Sequence, residues 1–425
     1  MNRISTLALA AGLGVVLAAP APAREKPAPA GPRLSPAFVR AASPALAAVN
    51  SGDVAGAEPL VATVEGAAGT DEERLLASQM RLVLETKKIA AASTANPNAV
   101  LDQRGTVKPL DALIANPATP AADKSRYYLI RAKLAYQGKQ YPVAIDYATK
   151  ARDLGAADPD LTTFLVRARL DNGDVAGATT ELDRAIADMT AKGQKAPADY
   201  YKLAIAQANK RHLTPLTLSW MNKYAAAYPS GQTWYEVLAA YGLQQGSVAQ
   251  LTDPQRIDLF RLMRASGALA DQFNYLDYAR LARQNGLPLE GQAVLKEGLA
   301  NGKIPAGSVE AKALGAELTR AAAGKGATAA LEAKANAAAT GQLAAQTGDA
   351  YLSSGNYAKA AALYRTALTK GGVDADATNL HLGIALARSG DKAGAQAAFV
   401  AVTGAPRADM AGLWTTWLNT GPTAA

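Results

Sequence analysis

Gly348-Asp-Ala-Tyr351, followed by Gly355-Asn-Tyr-Ala-Lys-Ala360 and then by Tyr364 and Ala367, decides how this chain is read. The same landmarks return as Gly383-Ile-Ala-Leu386, Gly390-Asp-Lys-Ala-Gly-Ala395, Phe399 and Val402, each displaced by 35 residues. This is a helix, a glycine turn and a second helix, written twice. Small residues (Gly348, Gly383, Ala360, Ala367 and Ala395) let two antiparallel helices approach closely, and large ones (Tyr351, Tyr364, Leu386 and Phe399) fill the space between them. Gly355 and Gly390 supply the left-handed backbone that ends the first helix. Asn356 and Asp391 offer a side-chain oxygen to cap the second. One such pair cannot bury its own apolar face, so the units are expected to stack.

On these residues the chain resembles the tetratricopeptide repeat family. Ala344 and Thr347 stand where the family has its early tryptophan and leucine, and Gly372 where it has its proline. The resemblance implies an all-α fold, an α-solenoid of stacked helix-turn-helix repeats wound into a right-handed superhelix. Its first helices would line a concave groove that binds a peptide or partner protein. In the middle repeats Lys133, Thr163 and Arg167 would face that groove; in the last two Ala345, Asp349, Leu380 and Ile384 would do so. Tyr201 and Lys202, from the same basic and aromatic stretch as the middle repeats, are added as partner-binding candidates.

The rest of the chain fits this frame. Residues 1–23 read as a cleavable export signal, with Arg3, an apolar run from Leu7 to Ala18, and Ala21-Pro22-Ala23 as the cleavage site. No cysteine follows, which argues against a lipid anchor and, with the signal, for a bacterial periplasmic protein. Residues 24–36 are a Pro/Ala-rich linker, 37–120 degenerate helical repeats, 121–303 the central repeats, 304–340 Ala-rich connecting helices, 341–403 the two clear repeats, and 404–425 a capping helix and tail. Hydrophobic residues make up 49% of the chain but aromatics only 6%, so alanine carries much of the packing. No later run of ~18 apolar residues suggests a transmembrane segment after signal removal.

Several local features mark the repeats. Gly52-Asp-Val-Ala-Gly-Ala57 recurs identically as Gly173-Asp-Val-Ala-Gly-Ala178, both at predicted helix-pair turns. Ala144 to Ala178 and Ala151 to Ala185 are each 34 residues apart, the repeat length of the family. Thr70-Asp-Glu-Glu73 reads as a capping box. Pro59 fits a helix only if that helix starts near Ala57. Thr119-Pro120 reads as a cap and a first-turn proline. Gly324-Lys-Gly326 breaks the connecting helices, and the helix with Trp414 and Trp417 would cover the exposed end of the stack.

Chemistry is sparse. The two histidines, His212 and His381, lie in different repeats, and His381, beside Leu382 and Gly383, is read as a packed helix-face residue rather than a catalytic one. Without cysteine or paired histidines no metal site is expected, and no nucleophile elbow or phosphate loop is found, so neither cofactor nor catalytic residue is assigned. Charge says more. The chain without its signal carries +7 (43 basic against 36 acidic residues), and residues 121–230 alone carry +5 (16 against 11). In an exported protein this favours acidic peptides, anionic glycans or lipid surfaces over nucleic acid. Tyrosines and tryptophans cluster nearby, from Tyr127 to Tyr235, and helical spacing favours the core for most of them. The expected function is a non-enzymatic interaction scaffold of the cell envelope. The alternative is a helical accessory or enzyme of peptidoglycan or polysaccharide metabolism, such as a lytic transglycosylase. That enzyme needs a catalytic domain after the superhelix, and the residues beyond the last repeat leave no room for one.

Overall fold

The computed structural model describes residues 34–97, 101–323 and 328–421, and among them every regular element is helical. The export signal, most of the linker and the Gly324-Lys-Gly326 break lie outside the described residues. Two compact units divide the chain, Met1–Ala157 and Asp158–Ala425. The division falls inside the stretch expected as one run of central repeats.

In the first unit, six α-helices pack as consecutive pairs: α1 (Pro36–Ser51) with α2 (Val54–Ala67), α3 (Asp71–Ala95) with α4 (Val107–Ala115), and α5 (Ala121–Gln137) with α6 (Tyr141–Asp153). The repeated hexapeptide explains how the first pair turns. Gly52 takes φ +82° and ends α1, and Asp53 caps α2 by accepting from the Gly56 amide at 2.9 Å. Ala57 is then fully buried against α1. The capping box of α3 is present and extended. Glu73 accepts from the amides of Ser35 (2.6 Å), Gly69 (2.7 Å) and Thr70 (3.2 Å). These bonds, the one from Ser35 foremost, stabilise the carboxylate and hold its pKa down to about 2.

Two local expectations are corrected here. The α2 helix starts at Val54, so Pro59 lies inside it, past the first turn where a missing N–H goes unnoticed. Thr119 does not cap α5: its hydroxyl donates to the Leu113 carbonyl at 2.7 Å, and Pro120 takes the capping position.

The second unit opens with four pairs: α7 (Leu161–Asp171) and α8 (Val175–Ala191), α9 (Ala198–Lys210) and α10 (Thr214–Ala227), α11 (Gly231–Gly242) and α12 (Asp253–Ala265), α13 (Gln272–Gln284) and α14 (Pro288–Ala300). Next come α15 (Val309–Ala323), which packs on α13 and α14, and α16 (Thr328–Ala337), which packs on the following helix. The last pairs are α17 (Gln342–Ser353) with α18 (Tyr357–Lys370) and α19 (Ala375–Ser389) with α20 (Lys392–Val400), and α21 (Arg407–Thr420) ends the described chain.

The twice-written stretch folds as its spacing predicts. A Cβ on Gly348 would sit 2.8 Å from the Tyr364 ring, and one on Gly383 would sit 2.4 Å from the Phe399 ring. Glycine is therefore what lets α17 meet α18 and α19 meet α20 at these points. Gly355 and Gly390 take φ of +77° and +89°, and Asn356 and Asp391 cap the next helices. Tyr364 and Phe399 are buried, and a fully buried side chain of this kind contributes roughly 1.5–3 kcal/mol.

Packing carries one expectation further. Rather than lying alone at the end of the stack, α21 packs on α19 and α20 and also on α10 and α12, while α17 packs on α14. Trp414 is fully buried, stacked on Phe399 with ring centroids 6.1 Å apart. Tyr241 of α11 donates to the Pro406 carbonyl at 3.0 Å, a contact spanning 165 residues. Within this unit the last repeats fold back and close over α10–α14.

Candidate functional site

The closure creates a buried charged seam. Arg261, on α12, projects into it with its side chain only 6% exposed, and Asp258, one turn earlier on the same face, is 1% exposed. The guanidinium forms a two-pronged pair with Glu290 of α14: Nε to Oε1 at 2.9 Å and Nη2 to Oε2 at 2.8 Å. Its Nη1 donates to Asp258 Oδ1 at 3.1 Å. Glu290 accepts further from the Tyr278 hydroxyl at 2.5 Å and the Ser353 hydroxyl at 3.2 Å. Asp258 receives Arg407 Nε of α21 at 3.2 Å, and the same guanidinium reaches Asp374 through Nη1 at 2.9 Å.

His381 of α19 joins the two sides of the seam. Its Nε2 lies 2.7 Å from Asp258 Oδ1 and its Nδ1 lies 2.8 Å from Asp349 Oδ1 of α17. Asp349 Oδ1 also accepts from the Tyr364 hydroxyl at 2.7 Å. Burial alone would raise the pKa of Asp258 and Glu290, but His381 and Arg261 beside Asp258, and Arg261 beside Glu290, more than offset it. Both carboxyls end below their ordinary range. Removing charges from water is costly, and such a cluster holds together only when every member is paired, as here.

Beside the seam, Arg261, Arg264, Tyr278, Glu290, Tyr357 and Arg388 line a cleft of about 30 Å³. A cavity of that size admits water rather than a metabolite, since ligand pockets run to several hundred Å³. In the first unit a groove of about 330 Å³ lies between the start of α3 and the end of α4. Most of its polar groups are engaged: Arg74 pairs with Asp71 at 2.7 Å, Glu65 with Arg81 at 2.7 Å, and the Asn116 amide donates to the Asp71 carbonyl at 2.8 Å. Neither cavity presents a set of unengaged groups that would define a reaction.

The residues named from the sequence fall in both units. Lys133 is half-buried in α5 of the first unit, while the others lie in the second. Thr163 and Arg167 are exposed on α7, four residues apart. Lys202 is exposed on α9, pairs with Glu236 at 2.9 Å, and lies over the Tyr224 ring at 5.7 Å. Tyr201 is corrected: it is 6% exposed and belongs to the core, stacked on Tyr224 and edge-on to Trp220, so it offers a partner almost no surface. Leu380 and Ile384 are corrected likewise, both being buried, and Asp349 is tied to His381 and Tyr364; only Ala345 of the four stays partly exposed without such a tie.

Sequence reasoning missed Asp258, Arg261, Glu290 and Arg407. A usable signal was present. Asp258 and Arg261 interrupt the otherwise apolar run Ile257 to Met263, and charges there are either paired or absent. Which charges paired with them could not be read from spacing.

Fold and seam define a class, an all-α helical repeat protein whose helices pack in consecutive pairs. No family model matches the chain, and no curated protein matches it in sequence. Among solved structures it is similar to the pentatricopeptide repeat protein PPR10 from maize, at 15% identity and a TM-score of 0.29. The match covers 87% of this chain and 49% of that one, so the chain spans about half the length of that structure.

Proposed function

We propose that the protein is a non-enzymatic interaction scaffold of the bacterial cell envelope, built from tetratricopeptide-like repeats and binding a peptide or partner protein on the first helices of its middle repeats. The observation that carries this reading is a contrast inside the second unit. Inner positions of α17 and α19 are occupied by α12 and α14, whereas Thr163 and Arg167 on α7 and Lys202 on α9 are exposed. These helices lie in the stretch with the basic excess, which favours an anionic partner. No helix among the described residues is long and apolar enough to cross a membrane. The periplasmic assignment rests on the leader sequence and is tested by sequencing the N-terminus of the protein purified from its host, which should begin at Arg24.

The binding face is tested by placing a photo-cross-linking residue at Arg167 and Lys202 in cells, with Lys312 and Arg320 of α15 as exposed comparisons. Discrete adducts at the first two positions, weakened by charge reversal of the neighbouring basic residue and by salt, are the expected result. Equal labelling at all four positions would sink the reading. Reversing Lys202 breaks a partly exposed pair with Glu236 and the contact with the Tyr224 ring, so folding should change by about 1 kcal/mol.

A further inference from the structure

We propose that the charged seam is a proton-dependent clasp: protonated His381, seated between Asp258 of α12 and Asp349 of α17, keeps the last repeats closed over α12 and α14, and loss of its proton releases them. This stands apart from the partner reading, because it concerns contacts of the chain with itself.

Geometry carries it. Both ring nitrogens face carboxylate oxygens, at 2.7 and 2.8 Å. A neutral imidazole has one N–H, so one of these contacts would set a lone pair against a carboxylate; only the imidazolium donates to both. Arg261 Nη1 lies 3.0 Å from Nε2; with the ring protonated, both groups donate to Asp258 Oδ1. Charge balance gives the same answer. The carboxylates of Asp258, Glu290 and Asp349 face one guanidinium that is theirs alone, that of Arg261, because Arg407 is divided between Asp258 and Asp374; a protonated ring supplies positive charge that the seam otherwise lacks. Among the groups around the ring, Tyr364 of α18 donates to Asp349, and Tyr278 of α13 and Ser353 of α17 donate to Glu290, so none of them supplies that charge. Arg264 and Arg388 line the adjoining cleft; Arg264 is paired with Glu297, and the Arg388 guanidinium lies over the Tyr357 ring. Asp374, at the start of α19, is exposed and bound by Arg407.

The contacts are also long-range. His381 and Asp258 are 123 residues apart, so nothing local replaces their bond if it fails. Burial disfavours the charged ring, but Asp258 and Asp349 outweigh it and raise its pKa to about 9. A raised folded-state value means the stabilisation is complete below the ordinary histidine range near 6.5 and is lost as pH climbs through about 9. The clasp therefore holds at neutral pH and opens on the alkaline side.

The full chain can be tested directly, because it contains two histidines and no cysteine. Histidine ring carbons labelled with ¹³C give two resonances, and His212→Gln assigns them. The His381 resonance is expected to keep its protonated shift at pH 7 and to change only as pH climbs through about 9. In parallel, spin labels on Lys296→Cys of α14 and Lys392→Cys of α20, both exposed, report the separation across the seam. The distance distribution should be narrow at pH 7 and should broaden and lengthen as His381 deprotonates. His381→Gln should show the open distribution already at pH 7. If that variant fails to fold, the parent titration decides alone. A His381 ring already neutral at pH 7 overturns the proposal, as does an unchanged distance while the ring loses its proton.

Discussion

The pair contacts inside α17/α18 and α19/α20 and the seam that closes these helices over α12 and α14 are built on opposite principles. The pair contacts set glycine against an aromatic ring, Gly348 on Tyr364 and Gly383 on Phe399, within a few turns of chain. They are apolar and repeat with the sequence. The seam sets charge against charge across 29 residues for Arg261 and Glu290 and 123 for His381 and Asp258, and it does not follow the repeat. An apolar contact tolerates small changes of register and volume. A buried ion cluster tolerates neither the loss of a member nor a change of its charge, because each charge left alone in a low-dielectric interior is costly. Thus the helix pairs are held by packing, whereas the way they close on the rest of the unit depends on an electrostatic match.

The sharpest break of this comparison is Arg261→Met. It leaves Glu290 and Asp258 without their main cation and should destabilise the second unit by about 3–5 kcal/mol, read from urea unfolding. Adding Glu290→Leu should recover part of the loss, since an apolar pair replaces a buried ionic one. A cost under about 1 kcal/mol for the single variant would show that the seam does not hold the unit closed.

Ala360→Trp or Ala395→Trp probes the other side. Both alanines are fully buried, and overpacking there should cost about 2–3 kcal/mol and open the last repeats to limited proteolysis. If both variants melt like the parent, the close approach of paired helices is not what stabilises them.

Acid should separate the two kinds of contact without mutation. Asp258 and Glu290 are held below their ordinary values, so their stabilisation is present above about pH 4.5 and is lost as pH falls through the lowered values. Asp409, pushed up by burial near Tyr241, acts in the opposite direction over part of this range. The two paired carboxylates should dominate. Hydrogen exchange, corrected for intrinsic rate, should rise in α12 and α14 between pH 5 and 3 before it rises at the Gly348–Tyr364 contact. Simultaneous loss would mean that seam and pairs unfold as one body.

The smallest effect concerns the caps. Asp391 accepts from Gly394 at 2.8 Å, while Asn356 reaches Lys359 only at 3.4 Å. Asp391→Ala should cost about 1 kcal/mol and Asn356→Ala about half of that, measured by thermal unfolding. Equal costs would show that cap geometry does not grade the two turns.

What the sequence determined by itself is the helix pair and its turn. Gly-Asp-x-Ala-Gly-Ala at residues 52, 173 and 390 contains its own instructions: a glycine with φ near +80° to +89°, an aspartate that accepts from the amide three residues on, and an alanine that is buried in the pair. These are short-range effects of sterics and hydrogen bonding, so they are legible in six residues. The capping box at Thr70 was legible for the same reason, and so was the assignment of most aromatics to the core. Only the tertiary structure decided that Tyr201, Leu380 and Ile384 are covered, that α21 packs on α10 and α12, and that His381 lies between Asp258 and Asp349. Those outcomes depend on how small rotations between successive pairs accumulate until distant helices meet. No spacing along the chain encodes that sum, and a buried charge identifies its partner only when the fold has brought the two together.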